Sequence, residues 1–450
     1  MGSMQRAFLW LCLLSAIVHS TVTHPPGANQ QQEPGCNSET GLCNVKSKED
    51  ANEWVEPEFK KALFYATTLT NEGISHNMRE MARALVRRGV AVRLMGKWKQ
   101  TPFEGGDRPG DGNTSLQSMF STPIDPAAED YITISGAAVN TWHAASSTLK
   151  NFVGYFVWEG QLPPQISEYI NNVPGLREIW TCSEYCHKML KDGGINVPVS
   201  VLPHGVDPVV WQRRRVRPEP SEWREKEKDA GGNNASPREK FVFLGAGTWH
   251  NPRKGLDVLV RAFTAEFGPE EPVKLVLKVS NVYNEGFDAR KEVRKYMRKK
   301  GNRNIMVVDS VIEEGKLVEL VSNVDCYVSP HRTEGFGLFI LQAMAVGTPV
   351  ICTGETGNVD FTHGNVVELT NTTDYPLEIE PYGKCVWRDP SVEELRARMR
   401  EVYEGNYPYD TAAVAEIVRR DWSWDKTIQK MFRLMKTVRS SPPQLMGEQQ

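Results

Sequence analysis

Residues 334–347, EGFGLFILQAMAVG, carry the decisive pattern of this chain. They follow a short β-rich run, Asp325-Cys326-Tyr327-Val328-Ser329-Pro330, and open a segment that is apolar on nearly every face. That order predicts strand, glycine loop and buried helix. Glycines at 335 and 337 let the backbone turn sharply and approach a ligand closely. The free N–H groups of the helix start and the helix dipole favour an anion, so a diphosphate suits the loop. Glu334, just outside the helix, is a poor partner for phosphate but a good acceptor of hydroxyl protons, as on a sugar ring. Gln342 is the one polar side chain between Leu338 and Val346, and ligand hydroxyls near the loop would satisfy its buried amide. An ordinary tight strand-to-helix connection, with Gln342 bonded to a neighbouring backbone, explains this stretch alone equally well. The choice rests on the remaining sequence.

A second feature lies upstream. Phe241-Val242-Phe243-Leu244 reads as a strand and runs into GAGTWHNPRKG at 245–255. Arg253 and Lys254, adjacent cations at a glycine-rich helix entry, form a diphosphate clamp of planar fork beside point charge; a pair of solvent-exposed bases is the plain alternative. Further strands are predicted at 275–279, 305–308, 325–329 and 349–352, with helices between them. The bases from Arg290 to Lys300 read as the wet face of one of those helices. Helices at 392–403 and 409–437 close the chain.

The first half repeats the alternation. Ala62 to Thr68 reads as a strand, residues 70–75 as a loop containing Gly73, then an amphipathic helix up to Gly89 and a strand from Val90 to Met95. This is the opening β-α-β of a doubly wound domain, with Gly73 at the carboxyl end of the first strand, where such sheets hold ligands. Strands follow at 131–135 and 152–158, and the second runs straight into Glu159, which either faces a crevice or is a partnered structural carboxylate. His143, beside Trp142, is a further polar candidate in a setting where histidine is generally packed and satisfied. A strand at 178–183 and a helix at 184–191 precede LPHGVD at 202–207. Over 212–240 the composition shifts to mixed charge with Pro and Gly, which reads as a solvated linker rather than a site for an acidic partner.

The 450 residues, 40% apolar and 24% charged, fit two soluble domains, and a net charge of −3 with both signs interspersed excludes a general nucleic-acid-binding surface. Arg6, the apolar run Ala7 to Val18 and the small residue Ser20 predict a cleaved secretory signal over 1–20, with a retained anchor as second choice; no other stretch is long and apolar enough to span a membrane. A polar, poorly ordered leader follows over 21–56. The secretory route predicts oxidised cysteines. Of the eight, seven remain once Cys12 leaves with the signal, so one is unpaired. Cys36 and Cys43 flank a small polar loop as a local pair, Cys182 and Cys186 suit either metal binding or packing, and Cys326 falls in a buried strand. Asn113, Asn234 and Asn371 each open an N-glycosylation acceptor triplet in polar, loop-like sequence. The terminal Gly-Glu-Gln-Gln is not an ER-retrieval signal of the KDEL kind.

Taken together, LPHGVD at 202–207, RKGLDVLVRAF at 253–263 and EGFGLFILQAMAVGTPVI at 334–351 resemble the retaining glycosyltransferases of family 4, which have the GT-B architecture. The similarity in order and spacing runs over about residues 60–435, and WEGQLPP at 158–164 looks like the acceptor-side segment of members that use nucleotide-activated sugars. The resemblance implies two Rossmann-like, doubly wound α/β domains facing across a cleft. Residues 57–211 would form the acceptor domain and 241–407 the nucleotide-sugar domain. A C-terminal helix over 408–438 would pack back on the first domain, ahead of a tail at 439–450.

By the same resemblance, Lys254 with Arg253 neutralises the departing diphosphate and Glu334 binds donor-sugar hydroxyls. The amides of Gly335, Phe336 and Gly337 meet phosphate or sugar and Gln342 belongs to the donor site; Gly73 is added to the donor site from its place at a strand end, and Glu159 and His143 are acceptor-side candidates from their places in the first domain. The sugar keeps its anomeric configuration, with departure and attack on one face and no carboxylate pair like that of hydrolases. No cofactor and no metal are expected, in keeping with the lack of an Asp-x-Asp pair. The implied partners are a nucleoside-diphosphate sugar and a glycan, protein or lipid acceptor, in the lumen of the endoplasmic reticulum or Golgi, or outside the cell.

Two departures stand out. Gln342 occupies the place of the family's second glutamate and forgoes charge-assisted bonds, at about 1 kcal/mol in binding. Trp249, five before Lys254, stands where many members carry an arginine. Both features suit a second class, a lumenal or secreted protein that binds sugar nucleotides or glycans without catalysis. A GT-B phosphorylase fits less well, because the chain is short and has no recognisable lysine site for pyridoxal phosphate.

Overall fold

The structure is a computed structural model that describes residues 55–69, 73–98, 115–127, 129–214, 240–249, 252–279, 288–300, 304–309, 312–379 and 383–441. Cys36, Cys43, Asn113, Asn234, the signal segment and most of the charged linker lie outside these residues.

Six strands build the first domain: β1 (Lys61–Leu69), β2 (Ala91–Trp98), β3 (Ile132–Ser135), β4 (Phe152–Tyr155), β5 (Leu176–Thr181) and β6 (Val199–Val201). They form a parallel sheet in the order β2-β1-β3-β4-β5-β6. The second domain has β7 (Phe241–Gly247), β8 (Val273–Val279), β9 (Ile305–Val308), β10 (Cys326–Ser329), β11 (Val350–Thr353) and β12 (Val367–Leu369), parallel in the order β12-β11-β10-β7-β8-β9. Strands β3, β4, β10 and β11 are buried at every position. Their unbroken apolar runs follow from helices covering both faces of a parallel sheet. Read from β9, the second sheet has the 3-2-1-4-5-6 order, whose direction reverses between β7 and β10. The carboxyl ends of those two strands therefore flank the crevice where ligands bind in such sheets. The architecture is the two-domain α/β GT-B fold that the sequence predicts.

Two elements correct the sequence reading. An antiparallel hairpin, β13 (Thr372–Ile379) with β14 (Gly383–Pro390), stands outside both sheets. Residues 371–373 were expected to be loop, and Pro376, which cannot donate to a ladder, hides the strand pattern. Asn371 is exposed at the foot of this hairpin.

The other correction is at the carboxyl end, where the single expected helix over 408–438 is two. Thr411–Asp421 packs on Leu338–Ala345 of the second domain, and Trp424–Ser440 packs on Gly73–Arg87 of the first. Ser423 is extended between them and its hydroxyl accepts the Lys426 N–H at 3.4 Å, an N-cap that starts a new helix. The break is also where the chain crosses between domains. Val206 donates to the Trp422 carbonyl at 2.9 Å and accepts from the Trp424 N–H at 3.1 Å, so the two crossing segments are bonded side by side. The apolar periodicity continues through the break because each helix buries one face, although against different domains.

The five described cysteines, Cys182, Cys186, Cys326, Cys352 and Cys385, are all buried free thiols. The expectation of oxidised cysteines therefore has no instance among the described residues.

Candidate functional site

The site is built where β7 and β10 end. After β7 the chain reaches a 3₁₀ turn, Pro252–Lys254, and then Gly255, whose φ of +64° is left-handed. A Cβ at Gly255 would sit 1.8 Å from the Pro330 carbonyl oxygen, so glycine is what allows this turn to lie directly on the segment leaving β10. Buried Arg332 fixes the approach. Its backbone N–H donates to the Arg253 carbonyl at 2.7 Å, and its guanidinium grips Asp257 with two bonds of 2.9 Å and Asp389 of β14 at 2.6 Å.

That juxtaposition brings the predicted charges together. The Lys254 ammonium donates to Glu334 Oε1, and Arg253 Nη1 donates to Glu334 Oε2 at 3.1 Å. Glu334 is buried, 7% exposed. Burial pushes its carboxyl up, but Lys254 and Arg253 together outweigh this and hold it well below the usual carboxylate range, so it stays ionised at neutral pH. Its backbone is pinned as well. The Glu334 N–H donates to Thr356 Oγ1 at 3.1 Å and its carbonyl accepts from the Gly357 N–H at 2.9 Å. Thr356 has φ +74°, rare for a β-branched residue and a sign of strain held at this loop.

Glu159, expected on the acceptor side, reaches across from the first domain. Its Oε1 accepts from Arg253 Nη1 at 2.6 Å and from the Gly335 N–H at 3.2 Å. The helix Glu184–Asp192 also aims its start at the same loop. Ser183 Oγ donates to the Gly335 carbonyl at 2.5 Å, and the Cys182 and Cys186 thiols approach the same oxygen at 3.2 and 3.4 Å. These two cysteines, open to either metal binding or packing in the sequence, thus pack on the loop.

Phe336 points the other way, into the domain crossing, with its ring against His204 at 4.8 Å, Phe361 at 5.0 Å and Trp422 at 6.0 Å. Gly337 is the left-handed residue ahead of the helix Leu338–Ala345, and Gln342 lies buried in that helix. Trp249 packs half-buried against the core. Gly73 opens the helix Gly73–Arg87, with residues 70–72 outside the described residues. The structure does not bring His143 to the cluster. Its ring packs edge-on against Tyr169 at 4.5 Å, within the first domain.

Sequence reasoning missed Arg332, Asp257, Thr356 and Asp360. The available signal for the first was an arginine three residues after a buried strand and two before Glu334. Asp360, from the second domain, accepts the Glu184 N–H at 2.9 Å and so caps a helix of the first. Burial pushes its carboxyl up to about 6, with the Glu184 charge adding to the rise against the Glu184 N–H and Lys430. A raised carboxyl pKa contributes stability that is full below the unfolded value of about 4 and is lost as pH rises through 6. Asp360→Asn keeps an oxygen acceptor and never ionises. It should raise Tm at pH 8 by about 2–4 °C, with the gain shrinking towards pH 4. A gain that did not change with pH would rule out ionisation of Asp360 as its source.

Residues 238–378 match the family described as "Glycosyl transferases group 1". Over 159 residues the chain is 29% identical to the lipopolysaccharide core biosynthesis mannosyltransferase LpsB of Rhizobium meliloti, a match spanning 35% of this chain and 41% of that relative's length. Among solved structures, Anabaena HepE in complex with UDP and glucose superposes with a TM-score of 0.59 at 15% identity, covering 84% of this chain and 99% of that one. Sucrose-phosphate synthase of Thermosynechococcus elongatus gives 0.58 at 14% identity, again over 84% and 99%. At such identities these two show the shared fold.

Proposed function

We propose that this protein is a glycosyltransferase that moves a hexosyl group from a nucleoside-diphosphate sugar to a hydroxyl of a glycan, protein or lipid, with retention of anomeric configuration. The observation that carries the proposal is the convergence of Lys254, Arg253 and Glu334 at the carboxyl ends of β7 and β10. In the reaction the bond from C1 to the phosphate oxygen breaks, the bond from C1 to the acceptor oxygen forms, and the acceptor's proton passes to the leaving phosphate. Lys254 and Arg253 neutralise the charge that develops there, which is the main electrostatic task of such a transfer. Glu334 accepts hydroxyl protons of the donor sugar.

The match at residues 238–378 supports the reaction class. The names of the relatives, a mannosyltransferase and a protein bound to UDP and glucose, support a hexosyl donor. We further propose action in the secretory pathway, supported by the charged and apolar pattern of residues 1–20 and not by the bacterial relative.

A thermal-shift panel of UDP, GDP and their common hexose conjugates tests the reading, because a ligand that binds only the folded state must raise its stability, by about 2.7 kcal/mol at a hundred times Kd. One nucleotide sugar should stabilise the wild type and lose its effect on Glu334→Ala. Absence of any shift would count against the donor site. Binding without transfer or donor hydrolysis would favour the non-catalytic class that Gln342 suggests.

A further inference from the structure

We propose that Glu159 is an internal competitor of the donor diphosphate: its carboxylate takes the hydrogen-bond donors that a phosphoryl oxygen needs, so nucleotide binding must displace it and nucleotide release is completed by its return. The inference rests on the donor-site reading above and adds a residue from the opposite domain to it.

Three observations converge. One carboxylate oxygen of Glu159 accepts from both a guanidinium, Arg253 Nη1 at 2.6 Å, and a glycine-loop amide, Gly335 N–H at 3.2 Å. Arginine fork plus loop amide is the donor set by which proteins hold phosphate. Among the described residues, Arg253 and Lys254 are both paired with carboxylates, Glu334 and Glu159. A diphosphate arriving beside an undisplaced Glu159 would meet a like charge, with both cations already paired to carboxylates. Finally, Glu159 is held from behind. Trp387 of β14 donates its indole N–H to the Glu159 carbonyl at 3.1 Å. The next residue, Gly160, has φ +133°, and a Cβ there would lie 2.9 Å from Cys385 Sγ.

The hairpin of the second domain thus fixes the backbone of this first-domain loop. The side chain itself remains partly exposed, at 28%. Glu334 cannot play this part, because it is buried at 9% side-chain exposure and bonded to both cations. Displacement of Glu159 therefore links occupancy of the diphosphate site to the contact between the two domains.

Titration calorimetry of the full chain with UDP, GDP and inorganic pyrophosphate tests this in the wild type, Glu159→Gln, Glu159→Asp and Arg253→Ala, each first shown to unfold cooperatively. Glu159→Gln removes the competing charge at nearly constant shape and should bind the preferred ligand about 10-fold more tightly. Glu159→Asp, one methylene shorter in reach, should gain less, and Arg253→Ala should bind more weakly than wild type. Should Glu159→Gln misfold, tighter binding by Glu159→Asp still supports the competition. Unchanged or weaker binding in the Glu159 variants, with Arg253→Ala still impaired, would overturn the competition and leave the donor site standing. No binding of any of the three ligands by any variant would overturn both.

Discussion

Replacing Lys254 by alanine should lower the rate of sugar transfer about 1,000-fold, equivalent to about 4 kcal/mol of transition-state stabilisation. Lys254 supplies a point charge at the end of the turn Pro252–Lys254, partly exposed at 24% and paired with Glu334. In the proposed reaction negative charge grows on the leaving diphosphate, and a cation that meets it only then acts on kcat more than on KM. Arg253, which in the proposed reaction brings its own charge to the same diphosphate, cannot also supply the one lost with Lys254. The variant also leaves Glu334 with one cation fewer, so its folded fraction must be checked at the assay temperature by circular dichroism. A variant that stays folded and keeps more than a tenth of the wild-type kcat would remove Lys254 from the reaction.

Gly255→Ala should be among the most destabilising single substitutions in this chain, at about 4 kcal/mol or more in the free energy of unfolding. The added methyl meets the backbone oxygen of Pro330 at 1.8 Å, which cannot rotate aside as a side chain can. The left-handed φ of +64° adds about 1–2 kcal/mol for a residue with a Cβ. Gly89 separates the two contributions, because it has φ +80° with no atom within 4 Å of a Cβ. Gly89→Ala should therefore cost only about 1–2 kcal/mol. Urea denaturation of both variants, with the slopes compared, measures the difference. Equal losses would mean that the turn carrying Arg253 and Lys254 can move off the β10 segment without penalty. That would in turn weaken the case that Gly255 is what seats the cations beside Glu334.

How much of this was legible beforehand follows from range. The strands β7, β9 and β10, the glycine entry at 335 and 337 and the cations at 253 and 254 are patterns within a dozen residues. Period, apolar runs and glycine positions report such features directly. The end of β4 was overextended, from Tyr155 to residue 158, because Phe156, Val157 and Trp158 are aromatic or β-branched and read as strand by composition. The hairpin β13–β14 escaped because Pro376 interrupts it and its buried aromatic, Trp387, finds its partner in a loop 228 residues earlier. Arg332 escaped for a similar reason. Its carboxylate partners lie 75 residues before it and 57 after it, and nothing about an isolated arginine announces them.

By itself the sequence determined the class of fold, the alternation of strands and helices, and the two loops whose glycines and charges suit a diphosphate and a sugar. All of these depend on local backbone preference and on which face of an element is apolar. The tertiary structure decided which charges meet. It turned one C-terminal helix into two that belong to different domains, it set both Lys254 and Arg253 on Glu334, and it set Glu159 of the first domain on Arg253 and Gly335 of the second. Contacts between residues 94 and 176 positions apart leave no period in the sequence. They exist only because two sheets, each folded by its own local pattern, present the carboxyl ends of their strands to one another.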